Sequence, residues 1–494
     1  MRFPELTNQQ VLITGVYPTD GRKRIQLMLP RWTPGYYRIE NYADQVLELT
    51  AIGSAGRVLP VTRSQTNRWL IEAGTNKTVT VVYRLRCAGH SVTTDWVEAD
   101  YAVFNGGATF PALVETVRRP YHVRLELPAA WGLAVTALPE VSGSTNEFRA
   151  ENYDVLVDSP ILAGKLRTQT TTVAGVPHVI AVAGAYAQWD LDTATRQLHR
   201  LVTELHSFWG VLPFERFVVL DVFRPGGGGL EHKNSMLLTS TPGQSKVLTD
   251  WVDFVCHEYF HAFNVKRLRP VELSKLDYEH PPHTGGLWIS EGMTTYYGEL
   301  LPCRAGISSP GDFLGFLSAS IERLQNSPGR FVQSLETASL EVWNTPTSGL
   351  ARDTSTNTIS YYTKGPIVAF LLDTHIRRLT QEQRSLDDLM RLAYQRYSGS
   401  RGFTAREFCR TAEEVAQARL GDWIKANVSC PGELDYSEAL AWYGLRFAPA
   451  TGDKQWQLET SPTATPEQQA HWQNLFRSAG PGPAKSAPGV KPHS

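Results

Sequence analysis

Hydrophobic and polar residues alternate with period two through much of the first third of the chain. Val79, Val81, Tyr83 and Leu85 alternate with Thr80, Val82 and Arg84, and Tyr121, Val123, Leu125 and Leu127 alternate with His122, Arg124 and Glu126. Successive side chains of a strand face opposite sides of a sheet, so this pattern fits sheets buried on one face. Gly, Asn and Pro punctuate it at short intervals, which predicts an antiparallel β-sandwich over residues 1–165. No chemistry is evident there. A supporting wall for a neighbouring cleft, or a ligand-binding module, are the roles it leaves open.

From residue 166 the pattern mixes. Residues 170–182 and 214–223 read as strands, and 190–209 reads as an amphipathic helix with Leu201, Val202, Leu205 and Phe208 on one stripe. The apolar run Trp251-Val252-Asp253-Phe254-Val255-Cys256 and the helical spacing of Trp288, Ile289, Met293, Tyr296 and Tyr297 predict two more buried helices, facing each other across a cleft. Beyond about residue 304 the pattern is chiefly helical. Phe403-Thr404-Ala405-Arg406-Glu407-Phe408 carries a capping box with a hydrophobic staple, and Pro366 after Gly365 is read as opening a helix that runs to Leu379. Residues 166–447 thus form the expected second domain. Residues 448–494 read as one short helix, starting near Thr465-Pro466-Glu467-Gln468, and a Pro-, Gly-, Ala- and Ser-rich disordered tail. The fold class is α+β, multidomain.

Composition narrows the classes. The chain has 494 residues, 42% of them hydrophobic, enough for two or three cores. Its formal net charge of -1 gives no general electrostatic reason to expect nucleic acid or an anionic membrane. No apolar run approaches the ~20 residues that span a bilayer. Cys87, Cys256, Cys303, Cys409 and Cys430 are scattered and odd in number, which suggests neither a disulfide framework nor a second metal site. The amino terminus lacks a basic segment followed by an apolar core, so cytoplasm is the default expectation; periplasm or secretion is the alternative if the chain starts further upstream. Oligomeric state is left open.

The chemistry lies in His257-Glu258-Tyr259-Phe260-His261 and in Glu291, within Trp288-Ile289-Ser290-Glu291-Gly292. Residues four apart on a helix rise only ~6 Å and share a face, so His257 and His261 can converge on one small cation. Two His and one Glu form one of the known protein shells of a catalytic zinc, with the fourth position left for water. Glu258 falls beside that face, where it can deprotonate the water without being a ligand. One Zn2+ per chain is therefore expected; a pair of satisfied core histidines is the rival reading.

The segments His257 to Pro270 and Leu287 to Gly298 resemble the glycyl aminopeptidase family of gluzincin zinc peptidases. Leu29-Pro30-Arg31-Trp32-Thr33-Pro34-Gly35-Tyr36-Tyr37, Asp154-Val155-Leu156-Val157-Asp158-Ser159-Pro160 and Tyr361-Tyr362-Thr363-Lys364-Gly365 are similar to family segments as well, so the resemblance spans roughly residues 20–447. It implies a thermolysin-like catalytic domain. Many relatives carry a PDZ domain after it, and too few residues remain here for one of usual size.

Two further segments bear on mechanism. Pro225-Gly226-Gly227-Gly228-Gly229-Leu230-Glu231-His232-Lys233-Asn234 follows an expected strand, and its glycines allow close backbone approach to a ligand. It lacks the Gly-Lys-Ser/Thr ending of a phosphate loop. It resembles instead the exopeptidase strand of alanyl-type aminopeptidases, which implies that Gly228 and Gly229 lie along substrate backbone and that Glu231 receives the free amino group; a solvated turn carboxylate is the alternative. Tyr362 matches the tyrosine of a Tyr-x-Lys-Gly motif in related aminopeptidases and is the candidate to stabilise the oxyanion, with Tyr361 the rival by one register. Thr295 is expected to orient Glu291, and Asn264 to brace the metal helix, although packing alone would explain both. His280 and His283 fall in the loop between the two helices. The expected function is removal of amino-terminal residues, small ones such as Gly or Ala, from peptides with a free amino terminus. A metalloendopeptidase with the same site, and a non-catalytic zinc-stabilised scaffold, are the alternatives.

Overall fold

A computed structural model describes residues 1–116, 118–186, 189–241, 248–344, 357–450, 452 and 455–478. The amino-terminal part consists of antiparallel sheets. One sheet places Gln10–Pro18 and Thr78–Arg86 side by side in a nine-residue register from Gln10↔Arg86 to Pro18↔Thr78. A second pairs Arg24–Met28 with Arg68–Glu72, and a third pairs Tyr101–Phe104 with Ile161–Gly164. The alternation seen in the sequence works here as expected. Val79, Val81, Tyr83 and Leu85 point into one shared core with Val11, Ile25, Leu27, Ile71 and Phe104. Val123, Phe148 and Tyr153 complete it.

A five-stranded mixed sheet follows. Its order is Arg167–Val173, Val176–Gly184, Phe217–Phe223, Ser235–Ser240, Gly228–Glu231, so that Gly228–Glu231 is an edge strand. The two central pairings are parallel and the two outer ones antiparallel. The single strand expected over residues 170–182 is in fact a hairpin, Arg167–Val173 and Val176–Gly184, turned through Ala174 and Gly175. Both turn residues have positive φ, 49° and 81°. A two-residue hairpin loop needs that geometry, and alanine at its first position hides it from a reader of sequence.

Helices fill the rest. Leu191–Trp209 packs on the sheet with Leu198, Leu201, Val202, Leu205 and Phe208 inward, capped by the Asp190 side chain. Leu248–Phe260, Met293–Arg304 and Tyr361–Leu379 cross one another behind the sheet's edge strand, and their apolar faces share one core. Tyr361–Leu379 starts earlier than Pro366 suggests: Ser360 is its N-cap, accepting from the Tyr362 N–H, and Pro366 lies inside the helix. The capping boxes at Thr404 and Thr465 open helices Ala405–Ala416 and Pro466–Leu475 as read from sequence. Trp472 and Phe476 pack against Phe313 of the same core. The expected tail beyond Ser478 lies outside the described residues.

Candidate metal centre and substrate cleft

Helix Leu248–Phe260 has two faces. Trp251, Val252, Val255, Cys256, Tyr259 and Phe260 are buried in the core. Asp250, Asp253, Phe254, His257 and Glu258 face a cleft of about 1160 Å³, joined there by His261 just past the helix end. Glu291 arrives from the opposite wall in a π-helical turn, Trp288–Gly292, that leads into Met293–Arg304. Such wide turns recur at functional positions, because the extra residue redirects one side chain.

Three ligand atoms converge. His257 Nε2 lies 3.0 Å from His261 Nε2, and Glu291 Oε2 lies 3.2 Å from His261 Nε2 and 3.8 Å from His257 Nε2. The opposite ring nitrogens are committed. His261 Nδ1–H donates to the Asn264 carbonyl at 2.8 Å, and the Thr295 hydroxyl, which donates to the Glu291 backbone carbonyl at 2.9 Å, faces His257 Nδ1 at 3.4 Å. Both Nε2 lone pairs are thereby left for the centre. Tetrahedral coordination at a Zn–N distance of ~2.05 Å would set two such nitrogens ~3.3 Å apart. A shift of a few tenths of an ångström therefore seats an ion, and among the described residues Glu291 Oε1 has no hydrogen-bond partner of its own. This donor set fits zinc.

Asn264 braces the two walls. Its Nδ2 donates to the Ile289 carbonyl at 2.8 Å and to Thr294 Oγ1 at 3.0 Å. Thr295 differs from expectation. It touches His257 and the Glu291 backbone rather than the Glu291 carboxylate, because its hydroxyl bonds back to the carbonyl four residues earlier, as Thr in a helix commonly does.

Electrostatics tie the residues together. Burial raises the Glu258 pKa, with His261 opposing and the Glu231 and Glu291 charges adding to the rise. Burial works against positive charge at His261, yet the Glu291 carboxylate beside it favours positive charge there. The Glu291 carboxylate, facing two imidazoles, is held well below the usual range despite its burial.

The edge strand supplies the far wall. An added Cβ on Gly229 would lie 2.1 Å from Glu258 Oε1, so only glycine lets that carboxylate rest against the strand. Gly228 and Glu231 line the same cleft. Tyr362 donates to Glu291 Oε2 at 2.9 Å. Helix Tyr361–Leu379 brings it there by a backbone-to-backbone crossing, in which a Cβ on Gly365 would sit 2.6 Å from the Gly292 Cα. The Tyr361 hydroxyl is buried and, among the described residues, meets no hydrogen-bond partner of good geometry. His280 and His283 are away from the ligands, bonded to Asp277 and to the Leu340 carbonyl.

Sequence reasoning missed what the amino-terminal domain brings. Gly35, at φ +101°, packs against the Glu231 carboxylate so closely that a Cβ would fall 2.3 Å from Oε1. Tyr37 packs edge-on against Trp343, and burial, then the Glu291 and Glu231 charges, push its phenol pKa well up. Both belong to the Leu29 to Tyr37 segment, whose only sequence signal is its likeness to relatives.

Fold and site define a peptidase. The M61 N-terminal domain matches residues 1–165 and the M61 glycyl aminopeptidase domain matches residues 250–368. The chain belongs to the M61 glycyl aminopeptidase family. Among solved structures it is similar to an aminopeptidase N family protein from Idiomarina loihiensis, with 26% identity and a TM-score of 0.85, covering 90% of this chain and 78% of that one. It also shares its fold with yeast LTA4 hydrolase, solved in complex with bestatin, at 13% identity and a TM-score of 0.51, covering 87% of this chain and 67% of that one. No curated protein sequence matches it. Among the described residues no helix is long and apolar enough to cross a membrane.

Proposed function

We propose that this protein is a zinc-dependent aminopeptidase that releases single amino-terminal residues, small ones such as Gly or Ala, from peptides. The observation that carries the reading is the juxtaposition of a His257–His261–Glu291 donor set with Glu231, a carboxylate in the same cleft that Gly35 backs from the other domain. Zinc bound there would supply Lewis-acid polarisation of the scissile carbonyl and activation of a water.

The chain's own residues do the rest. Glu258 takes a proton from the attacking water and returns it to the departing amine. The Tyr362 hydroxyl, beside the ligand oxygen of Glu291, donates to the oxyanion that develops in the transition state. Gly228 and Gly229 keep the edge strand bare, so that substrate backbone can lie against it. Glu231 accepts from the substrate α-ammonium and fixes which peptide bond is presented.

Purified protein should carry one zinc per chain, and chelation should abolish hydrolysis of aminoacyl substrates, with recovery when zinc is returned. Glu258→Gln should keep the metal and lose nearly all turnover, whereas His257→Ala, His261→Ala and Glu291→Ala should lose both. A zinc-replete Glu258→Gln variant with wild-type turnover would overturn the reading.

A further inference from the structure

Three stretches far apart in sequence, near residues 34, 158 and 266, meet behind Glu231. Lys266 is only 6% exposed. Its Nζ lies 3.2 Å from Asp158 Oδ1 and 3.5 Å from Glu231 Oε1, and donates to the Pro34 carbonyl at 3.4 Å. Burial works against this ammonium, but Asp158 and then Glu231 more than offset it. Asp158 follows helix Tyr153–Val157 of the amino-terminal domain. It is held from its other side, with Oδ2 accepting the Lys233 N–H at 2.8 Å and Oδ1 facing His232 Nδ1 at 3.3 Å.

Glu231 is held differently. It is 3% exposed, and the ammonium stands 3.5 Å from its Oε1, farther than from Asp158. At that distance the ammonium leaves the carboxylate, which lines the cleft, able to take a second donor. The backbone next to Lys266 adopts an uncommon conformation. Val265, a β-branched residue, sits at φ +129° between Asn264, whose carbonyl holds His261, and Lys266. That conformation is costly for valine and persists only where its surroundings enforce it.

We propose that Lys266 and Asp158 are positioning residues for the amino-terminus pocket: Asp158 holds the Lys266 ammonium as its nearer partner, so that Lys266 orients Glu231 without saturating it, and the Glu231 carboxylate, which lines the cleft, takes the substrate α-ammonium. The inference rests on the aminopeptidase reading. It makes the amino-terminal domain a contributor to the amine site through Asp158 and Pro34. Removing the Asp158 charge leaves Lys266 to Glu231 alone, where it competes with substrate. Removing the Lys266 charge leaves two buried carboxylates facing each other without a cation, and Glu231 loses its orientation.

The test compares inhibition by alanine hydroxamate and by propanehydroxamate, which share a metal-binding group and differ in the amine alone, using zinc-loaded full-length protein. Wild type should bind the amino form more tightly. Asp158→Asn and Lys266→Met should each cut that preference about tenfold, the value of one hydrogen bond to a charged group. The Ki of propanehydroxamate should stay unchanged, and Lys266→Arg should keep most of the preference. If Lys266→Met does not fold, the near-isosteric Asp158→Asn decides alone. Should Glu231→Ala abolish the preference while Asp158→Asn and Lys266→Met retain it, the positioning role is wrong and the aminopeptidase reading stands. Equal weakening of both inhibitors would also overturn the role, as general structural damage. Wild type without any preference for the amino form would instead refute the aminopeptidase reading itself.

Discussion

Replacing Gly229 with alanine isolates the placement of the general base. The new Cβ would fall 2.1 Å from Glu258 Oε1, 2.6 Å from its Cδ and 2.7 Å from Phe254 Cζ. Ordinary contact is ~3.5 Å, so the carboxylate must retreat by more than about 1 Å. It can do so cheaply, because it is the far end of a flexible side chain. Gly229 is not among the residues with positive φ, so alanine suits the strand and gains ~0.4–1 kcal/mol through the unfolded state. Stability should therefore change by less than about 1 kcal/mol. Catalysis should not escape, since a displacement of ~1 Å costs on the order of 10²-fold in rate, or about 2.7 kcal/mol of barrier. The assay is kcat on an aminoacyl p-nitroanilide, alongside zinc content and a thermal melt. Adding Gly229→Ala to Glu258→Gln should lower kcat little further, because both act on one group. Wild-type kcat in the single variant, or loss of zinc along with activity, would refute the argument.

Tyr362→Phe should lower kcat by ~10²- to 10³-fold with little change in KM, because the lost donor acts mainly in the transition state; if Tyr361→Phe gives that loss instead, the oxyanion residue is its neighbour. Gly35→Ala puts a Cβ 2.3 Å from Glu231 Oε1 at a φ of +101°. It should raise KM for free-amino peptides by roughly tenfold, with unchanged zinc, and cost ~1–2 kcal/mol in the melt from backbone strain. Asp95 offers a pH test outside the cleft. Burial raises its pKa to about 7, against hydrogen bonds from the Asn105 N–H and the Thr109 hydroxyl. The folded chain thus holds a proton that the unfolded chain releases near pH 4, and stability from this group falls as pH rises from about 4 to about 7. Asp95→Asn should therefore be more stable than wild type at pH 8 by on the order of 2–4 kcal/mol and no more stable at pH 4, as read by denaturant melts.

Particular residues show how far the sequence could be read. Spacings within one element carried through: His257 and His261, four apart, do face one centre, and period two across Val79 to Leu85 does mark a buried face. What failed depended on backbone detail that residue type does not encode. Glu291 lies in a π turn, Trp288–Gly292, and the Thr295 hydroxyl bonds the Glu291 backbone carbonyl and faces His257 instead of the Glu291 carboxylate. Pro366 looks like a helix opener, yet the Ser360 cap, six residues before it, starts the helix sooner. The amino-terminal contributions were least legible. Gly35 and Tyr37 reach the cleft, and Asp158 reaches Lys266, only through packing between domains, and no local pattern announces a contact across 100 to 300 residues of chain.

The central claim, an exopeptidase that recognises a free amine through Glu231, is tested most directly with one peptide prepared with a free and with an acetylated amino terminus. Each form is incubated with zinc-loaded protein, with and without chelator, and the products are read by mass spectrometry. The account predicts stepwise release of single amino-terminal residues from the free form alone, abolished by chelator and with KM raised strongly in Glu231→Ala. Equal internal cleavage of both forms would contradict it and make this an endopeptidase.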